Sequence, residues 1–285
     1  MNMRKLAAGT AIATTLLMGA GLSAHADILS SLVDADGGGV YNIKLQDYEN
    51  FSTTTLQPGT TQNYGVFEIT SIDSPTGLQV WNSGSGGYLV GVFSGITVQQ
   101  TSFDSATGQY VTQNSGGTFE LYEVSSLPNF AQGTAGYSAA GGGCTIGGLC
   151  YNGITNAGGT MVLSYDLVPG ADLVDTSSTL EGTISSETVP ATGGASGYAD
   201  VSGGSDESLL GTGIFATSAG TLADISIQDD FCGPNSSSCE TENWDESSQD
   251  PVRADFVPEP TSVALLGSAL VSLGAASYRR RKTRA

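Results

Sequence analysis

Histidine is almost missing from this chain: one of its 285 residues, His25. Basic residues are also scarce. Of nine Lys and Arg, Arg4 and Lys5 lie at the head and Arg279, Arg280, Arg281, Lys282 and Arg284 crowd the end. Between 27 and 257 only Lys44 and Arg253 remain, and no histidine. Without histidine, Ser-His-Asp and Cys-His catalysis have no general base there. Zinc and copper sites lose their commonest ligand. One Lys and one Arg are too few to clamp a transferring phosphoryl group. Nucleic acid is excluded as a partner, because no basic patch is present to displace its counterions. No cofactor is called for. Helical periodicity is missing too: no stretch of the body keeps an apolar 3.6 period over a dozen residues.

What is present is acid. Of 28 Asp and Glu, only Glu259 lies outside 27–257, so that segment carries a net charge near −25. Such a body repels anionic lipid and phosphate, and it stays soluble and apart from its copies. Divalent cations and neutral sugars are the compatible ligands. The enzyme class that survives the missing histidine is glycoside hydrolysis by a carboxylate pair.

The head has three parts. Arg4-Lys5 is a positive n-region, Leu6–Leu22 an uncharged apolar run, and Ala24-His25-Ala26 a small-x-small cleavage site before Asp27. That is a secretory signal peptide, residues 1–26. The end has three parts as well. Val257 leads into Pro258-Glu259-Pro260. Thr261–Tyr278 follows, 18 residues without a charge. As a helix it reaches roughly 27 Å, about the thickness of a hydrocarbon core. The basic cluster at 279–285 comes last and holds the chain end on the cytoplasmic side. The two prolines keep residues 258–260 extended, which suits a protease that binds backbone.

This tail, on Pro258-Glu259-Pro260, the Ala264-Leu265-Leu266-Gly267 start of the span and the Arg279–Arg284 cluster, resembles the PEP-CTERM sorting signal. The resemblance covers about a tenth of the chain. It implies a membrane protease of the exosortase type that cuts near Pro258 after signal peptidase has acted, with membrane anchoring only until then. The Ser277-Tyr278 end of the span departs from the usual apolar pair. The resemblance implies a destination on the outer surface, or in the extracellular matrix, of a Gram-negative-type bacterium, with extracellular polysaccharide as a partner.

Residues 27–244 read as a β-rich extracytoplasmic domain. Glycine numbers 40, and Gly, Ser, Thr and Asn punctuate short runs of Val, Ile, Tyr, Phe and Thr. Strands are predicted at 40–47, 63–72, 77–81, 88–93, 96–102, 110–113, 118–124, 159–167, 179–188, 198–202, 213–216 and 222–227. Residues 100–113 form a hairpin around Gly108. Phe67 and Ile69 break strict alternation, which predicts burial on both faces or a bulge. In 118–124 neither face is cleanly dry, and Ile225 and Ile227 point to the core. Short strands without helices between them predict an all-β fold, a single β-sandwich or jelly roll, flanked by the signal helix and the transmembrane helix. Residues 245–257 read as a flexible acidic spacer, although Trp244 argues for some packing.

Cys144, Cys150, Cys232 and Cys239 form an even set in an exported chain and predict two disulfides. Spacings of six and seven suggest local bridges, though three pairings are possible. Asp34-Ala35-Asp36-Gly37-Gly38-Gly39 opens like an EF-hand but places Gly38 and Leu45 where oxygen ligands belong, so it reads as a Gly-rich loop. Glu240, Glu242, Asp245 and Glu246 form a denser acidic group, a candidate for weak calcium binding. Trp81 and the tyrosines suit either a sugar platform or a core. The reading adopted is a non-enzymatic surface or biofilm-matrix protein with no metal site. A glycan- or calcium-binding module is the alternative, and a carboxylate-pair glycosidase a third.

Overall fold

The computed structural model describes residues 28–130, 137–138, 150–151, 159–233 and 244–257. The segments predicted as signal peptide and sorting tail, and parts of two long connections, lie outside it. So do the predicted processing residues Ala24, Ala26, Asp27, Pro258, Glu259 and Pro260, and the basic cluster Arg279–Arg284.

Among the described residues, helix α1 (Ile28–Asp36) precedes fifteen strands. They are β1 (Gly39–Phe51), β2 (Gln62–Asp73), β3 (Gln79–Asn82), β4 (Tyr88–Asp104), β5 (Gln109–Ser115), β6 (Thr118–Val124), β7 (Tyr137–Ser138) and β8 (Cys150–Tyr151). Then come β9 (Thr160–Val168), β10 (Leu180–Ile184), β11 (Gly193–Gly203), β12 (Phe215–Ala216), β13 (Leu222–Ala223), β14 (Ile225–Cys232) and β15 (Glu246–Phe256). The all-β expectation holds. The two predicted strands at 88–93 and 96–102 are one long strand, β4, and its hairpin with β5 turns at Gly108, whose φ is +74°.

Where a sandwich would hold two separate sheets, eleven strands form one antiparallel sheet in the order β10-β5-β4-β6-β9-β11-β14-β15-β1-β2-β3. β2 also pairs with β4. The ladder β1-β2-β4-β6-β9-β11-β14-β15 therefore returns on itself as a closed ring, and closure removes exposed edges. β5 extends the line of β6 past a bend at Gly116 and Gly117, which have φ of +71° and +116°. β10 joins β5 to β11 and completes the same wall above that bend.

Alternation sorts the side chains. Phe67, Ile69, Leu89, Phe93, Leu121, Leu163, Leu167, Ile225 and Val252 share the interior core, with Ile227 against it. Their strand neighbours Asn42, Gln46, Glu68, Ser164, Ser226 and Gln228 have the opposite parity and give the outer face its polar character. This is the inverse of a lipid-facing barrel. One outer patch is apolar: Val66, Val90 and Val124, covered by Phe130 and Trp244, whose Nε1 donates to Phe130 O at 2.7 Å. The mixed faces of 66–72 and 118–124 thus have their cause, since β2, β4 and β6 are covered on both sides. The ladder also bulges at Thr70, where Lys44 meets Ser71 and Leu45 meets Ile69.

Two expectations are corrected. Asp34 and Asp36 belong to the last turn of α1, not to a loop. That helix ends because Gly37, at φ +84°, turns left-handed and donates its N–H to Val33 O at 2.9 Å. α1 places Ile28, Leu29 and Val33 in the core, and the Ile28 N–H donates to Glu123 Oε2 at 3.1 Å. The spacer expected at 245–257 is instead β15, which lies between β14 and β1. All eleven of its residues are in register with β1, from Glu246 opposite Glu49 to Phe256 opposite Gly39. Its acids hid an alternation in which Glu246, Ser248, Val252, Ala254 and Phe256 turn inward and are buried.

Candidate functional site

The interior of the barrel is not uniformly apolar. On β1 the inward row runs Tyr41, Ile43, Leu45, Asp47, Glu49, turning from apolar to acidic partway along. β15 contributes Glu246 directly opposite Glu49, β14 contributes Asp229, and β2 contributes Asn63. These side chains line two small adjoining cavities of about 40 Å³ each.

Glu246 is fully buried and Glu49 nearly so. The Ala191 N–H donates to Glu246 Oε1 at 2.6 Å. Asn63 Nδ2 donates to Glu49 Oε2. Directly opposed residues on antiparallel strands hold their Cβ atoms about 5 Å apart, so the Glu49 and Glu246 carboxyls face each other across the β1–β15 ladder. Burial pushes the Glu246 carboxyl up to about 7, with the Asp245 charge adding to the rise; the bonds from Ala191 and Glu49 only partly offset it. Glu246 Oε2 and Asn63 Oδ1 are buried acceptors that receive no donor. Nearby, Ser248 Oγ donates to Asp47 Oδ1 at 2.6 Å.

Asp229 sits at a break in the wall. β14 pairs with β15 from Ile225 to Ile227, opposite Ala254 to Val252, and again at Phe231 and Cys232, opposite Ser248 and Ser247. Between these stretches Gln228–Asp230 and Gln249–Pro251 are not laddered together. Pro251 has no N–H to give. Outside the break lies an open groove of about 380 Å³, lined among others by Glu181, Ser196, Gln228 and Asp230, and Asp229 borders groove and cavities alike. Burial raises the Glu181 carboxyl above its ordinary value, with the Asp172 charge adding to the effect.

Chemically, two opposed buried carboxyls can share a proton, but neither cavity admits a sugar ring, so the pair is not placed as a glycosidase cleft. No group of three or more Asp, Glu, His or Cys among the described residues is arranged to hold a metal ion.

The structure separates the predicted acidic group. Glu240 and Glu242 lie outside the described residues. Asp245 turns to the loop, where its Oδ2 accepts the Phe51 N–H at 3.1 Å, while Glu246 turns into the barrel. Trp81 is buried, with Nε1 donating to Ser85 O at 2.9 Å; it is core and not a sugar platform. Cys232, at the end of β14, is disulfide-bonded. Cys144, Cys239 and the side chain of Cys150 lie outside the described residues, so the 144–150 and 232–239 pairings stay expectations. Val257 is held against the fold, its N–H donating to Leu209 O at 2.8 Å. Glu49, Asn63 and Asp229 were not singled out from sequence. The available signal was parity: Asp47 and Glu49 continue the apolar row of β1, and an acid on that row faces inward. No family model, curated protein or solved structure matches this chain.

Proposed function

We propose that the chain is an exported, non-enzymatic surface or extracellular-matrix protein, delivered by its signal peptide and released through its PEP-CTERM-like tail. The observation that carries this reading is the ordered tail, Pro258-Glu259-Pro260, uncharged span and basic end, on a chain that also begins with a signal sequence. A closed antiparallel barrel with a polar, acidic outer face supports it, because such a body is suited to remain dispersed in a hydrated matrix. The described residues contain no helix long and apolar enough to cross a membrane, so a membrane role by helix falls to the 261–278 segment. Polysaccharide is the partner class consistent with an outer groove of carboxylates, hydroxyls and amides that lacks basic groups.

The test is fractionation of cells expressing the intact chain and a chain ending at Val257. The intact chain is expected to lose its tail and reach the outer surface or the medium. Tail-bearing protein that stays permanently in the inner membrane refutes the sorting claim.

A further inference from the structure

The outer wall is grooved where β14 and β15 part. Lys44 of β1 stands opposite Pro251 of β15. Pro251 falls opposite Gln228 of β14, one place on from the Ile227–Val252 pair. Gln228 stands opposite Ser196 of β11, and Ser196 opposite Glu181 of β10. Outward parity therefore puts these five side chains in one row that runs across the strands rather than along them. Two depressions, of about 480 and about 380 Å³, lie along this row and meet at Pro251. Thr70 of β2 lines the far end of the first, so the groove crosses six neighbouring strands, about 24 Å at the usual strand spacing.

Its depth has a local cause. β14 and β15 are not laddered together between Gln228–Asp230 and Gln249–Pro251. Beside that break, Gly194 keeps the floor low: a Cβ there would lie 2.8 Å from Asp229 O and 3.0 Å from Asp230 Oδ1.

Its chemistry selects an occupant. The amides of Gln46, Gln228 and Gln249 and the hydroxyls of Thr70, Thr183 and Ser196 line it, groups that both donate and accept. Part of this lining is pre-organised: Gln46 Nε2 donates to Tyr48 OH at 3.0 Å, and Thr70 Oγ1 to Lys44 O at 3.1 Å. Pro251 is exposed at the centre and offers an apolar ring to the C–H face of a pyranose. An anionic polymer is repelled by a body of net charge near −25, and Lys44 is engaged with Asp73 at 3.3 Å.

We propose that this groove binds a neutral polysaccharide, with about four or five hexose rings lying across the strands from β2 to β10. The site rests on the reading of the protein as a surface or matrix component, and gives its polysaccharide partner a place to lie.

The test is calorimetric titration of the full chain with neutral glucose and mannose oligosaccharides, α- and β-linked, from the single ring to the hexaose. Hexagalacturonate is the anionic probe. Affinity is expected to rise with length and to level off at about the pentaose. Ser196→Trp, which fills the middle of the groove from an exposed position, should abolish binding. Gln228→Ala should weaken it about fivefold, and Ser164→Trp, on the outer face of β9, should bind as the wild type does. If Ser196→Trp does not fold, Gln228→Ala and the length series still decide. Failure of every neutral hexaose to bind overturns the proposal. So does binding that Ser196→Trp and Gln228→Ala leave unchanged, and so does a preference for hexagalacturonate. Those results leave the sorting claim standing, because fractionation judges it separately; a chain that binds sugar yet keeps its tail in the inner membrane refutes the sorting claim alone.

Discussion

Glu246 has a carboxyl whose ordinary value of 4.5 is raised to about 7 by burial in the folded barrel. A group raised on folding favours the folded state fully below its unfolded value, and that contribution is lost as pH rises through the folded value. The window is therefore about pH 4.5 to 7. The shift corresponds to about 3 kcal/mol. The expected outcome is a wild-type melting temperature that falls across this window by about 10 °C, while Glu246→Gln stays level. Scanning calorimetry at several pH values measures it, and a melting temperature that rises across the window contradicts the assignment. A second residue-scale prediction concerns Gly91, in the interior row of β4. A Cβ there would lie 2.1 Å from Phe67 Cζ and 2.5 Å from Glu120 O. Phe67 is itself wedged in the core, so Gly91→Ala should cost about 3 kcal/mol by overpacking, measured by urea unfolding. Gly108, at a turn with open space around it, needs its positive φ instead.

At the scale of elements, β15 matters most. It bonds to β1 along its whole length and to β14 at both ends, so the ring cannot close without it. A chain ending at Asn243 is expected to show no cooperative melting. A chain ending at Val257 should melt within about 1 kcal/mol of the full chain, because it keeps every strand of the ring, β15 included. Circular dichroism of the two truncations compares them. A cooperative transition in the shorter chain would mean that β15 is an ornament to the barrel. Within the same element, Pro251→Val restores an N–H at the break. It should slow exchange of the flanking amides, and a variant whose amides at 228–230 exchange as before would show that the gap has another cause.

For the whole molecule, charge is the governing quantity. Residues 27–257 carry a net charge near −25, and among the described residues one salt bridge, Lys44–Asp73, offsets it. Self-repulsion of that size opposes compactness and is screened by salt. Raising sodium chloride from about 0.01 to about 0.15 M should raise the melting temperature by several degrees. Magnesium at equal ionic strength should do no more, since no described group of acids is arranged as a metal site. A divalent effect well beyond ionic strength would point to a cation site.

The all-β class, the strand positions from β1 to β6, the hairpin at Gly108 and the acidic, histidine-poor body were legible in the sequence. They follow from composition, turn residues and a period of two, all of which act within a few residues. Closure into one ring was not legible, because it depends on β2 meeting β4 and on β15 entering between β14 and β1, and no local pattern encodes partners so far apart in sequence. β15 escaped notice for a physical reason: its inward row is largely Glu, Ser and small apolar residues, so it reads as a polar linker until the interior acids opposite it are known. The pairing of Glu49 with Glu246 lies nearly 200 positions apart in the chain. Sequence alone determined which chemistries the missing histidines and cations exclude. Only the tertiary structure decided which of the many acids are solvated charges and which two face each other buried inside the barrel, because that depends on register across strands.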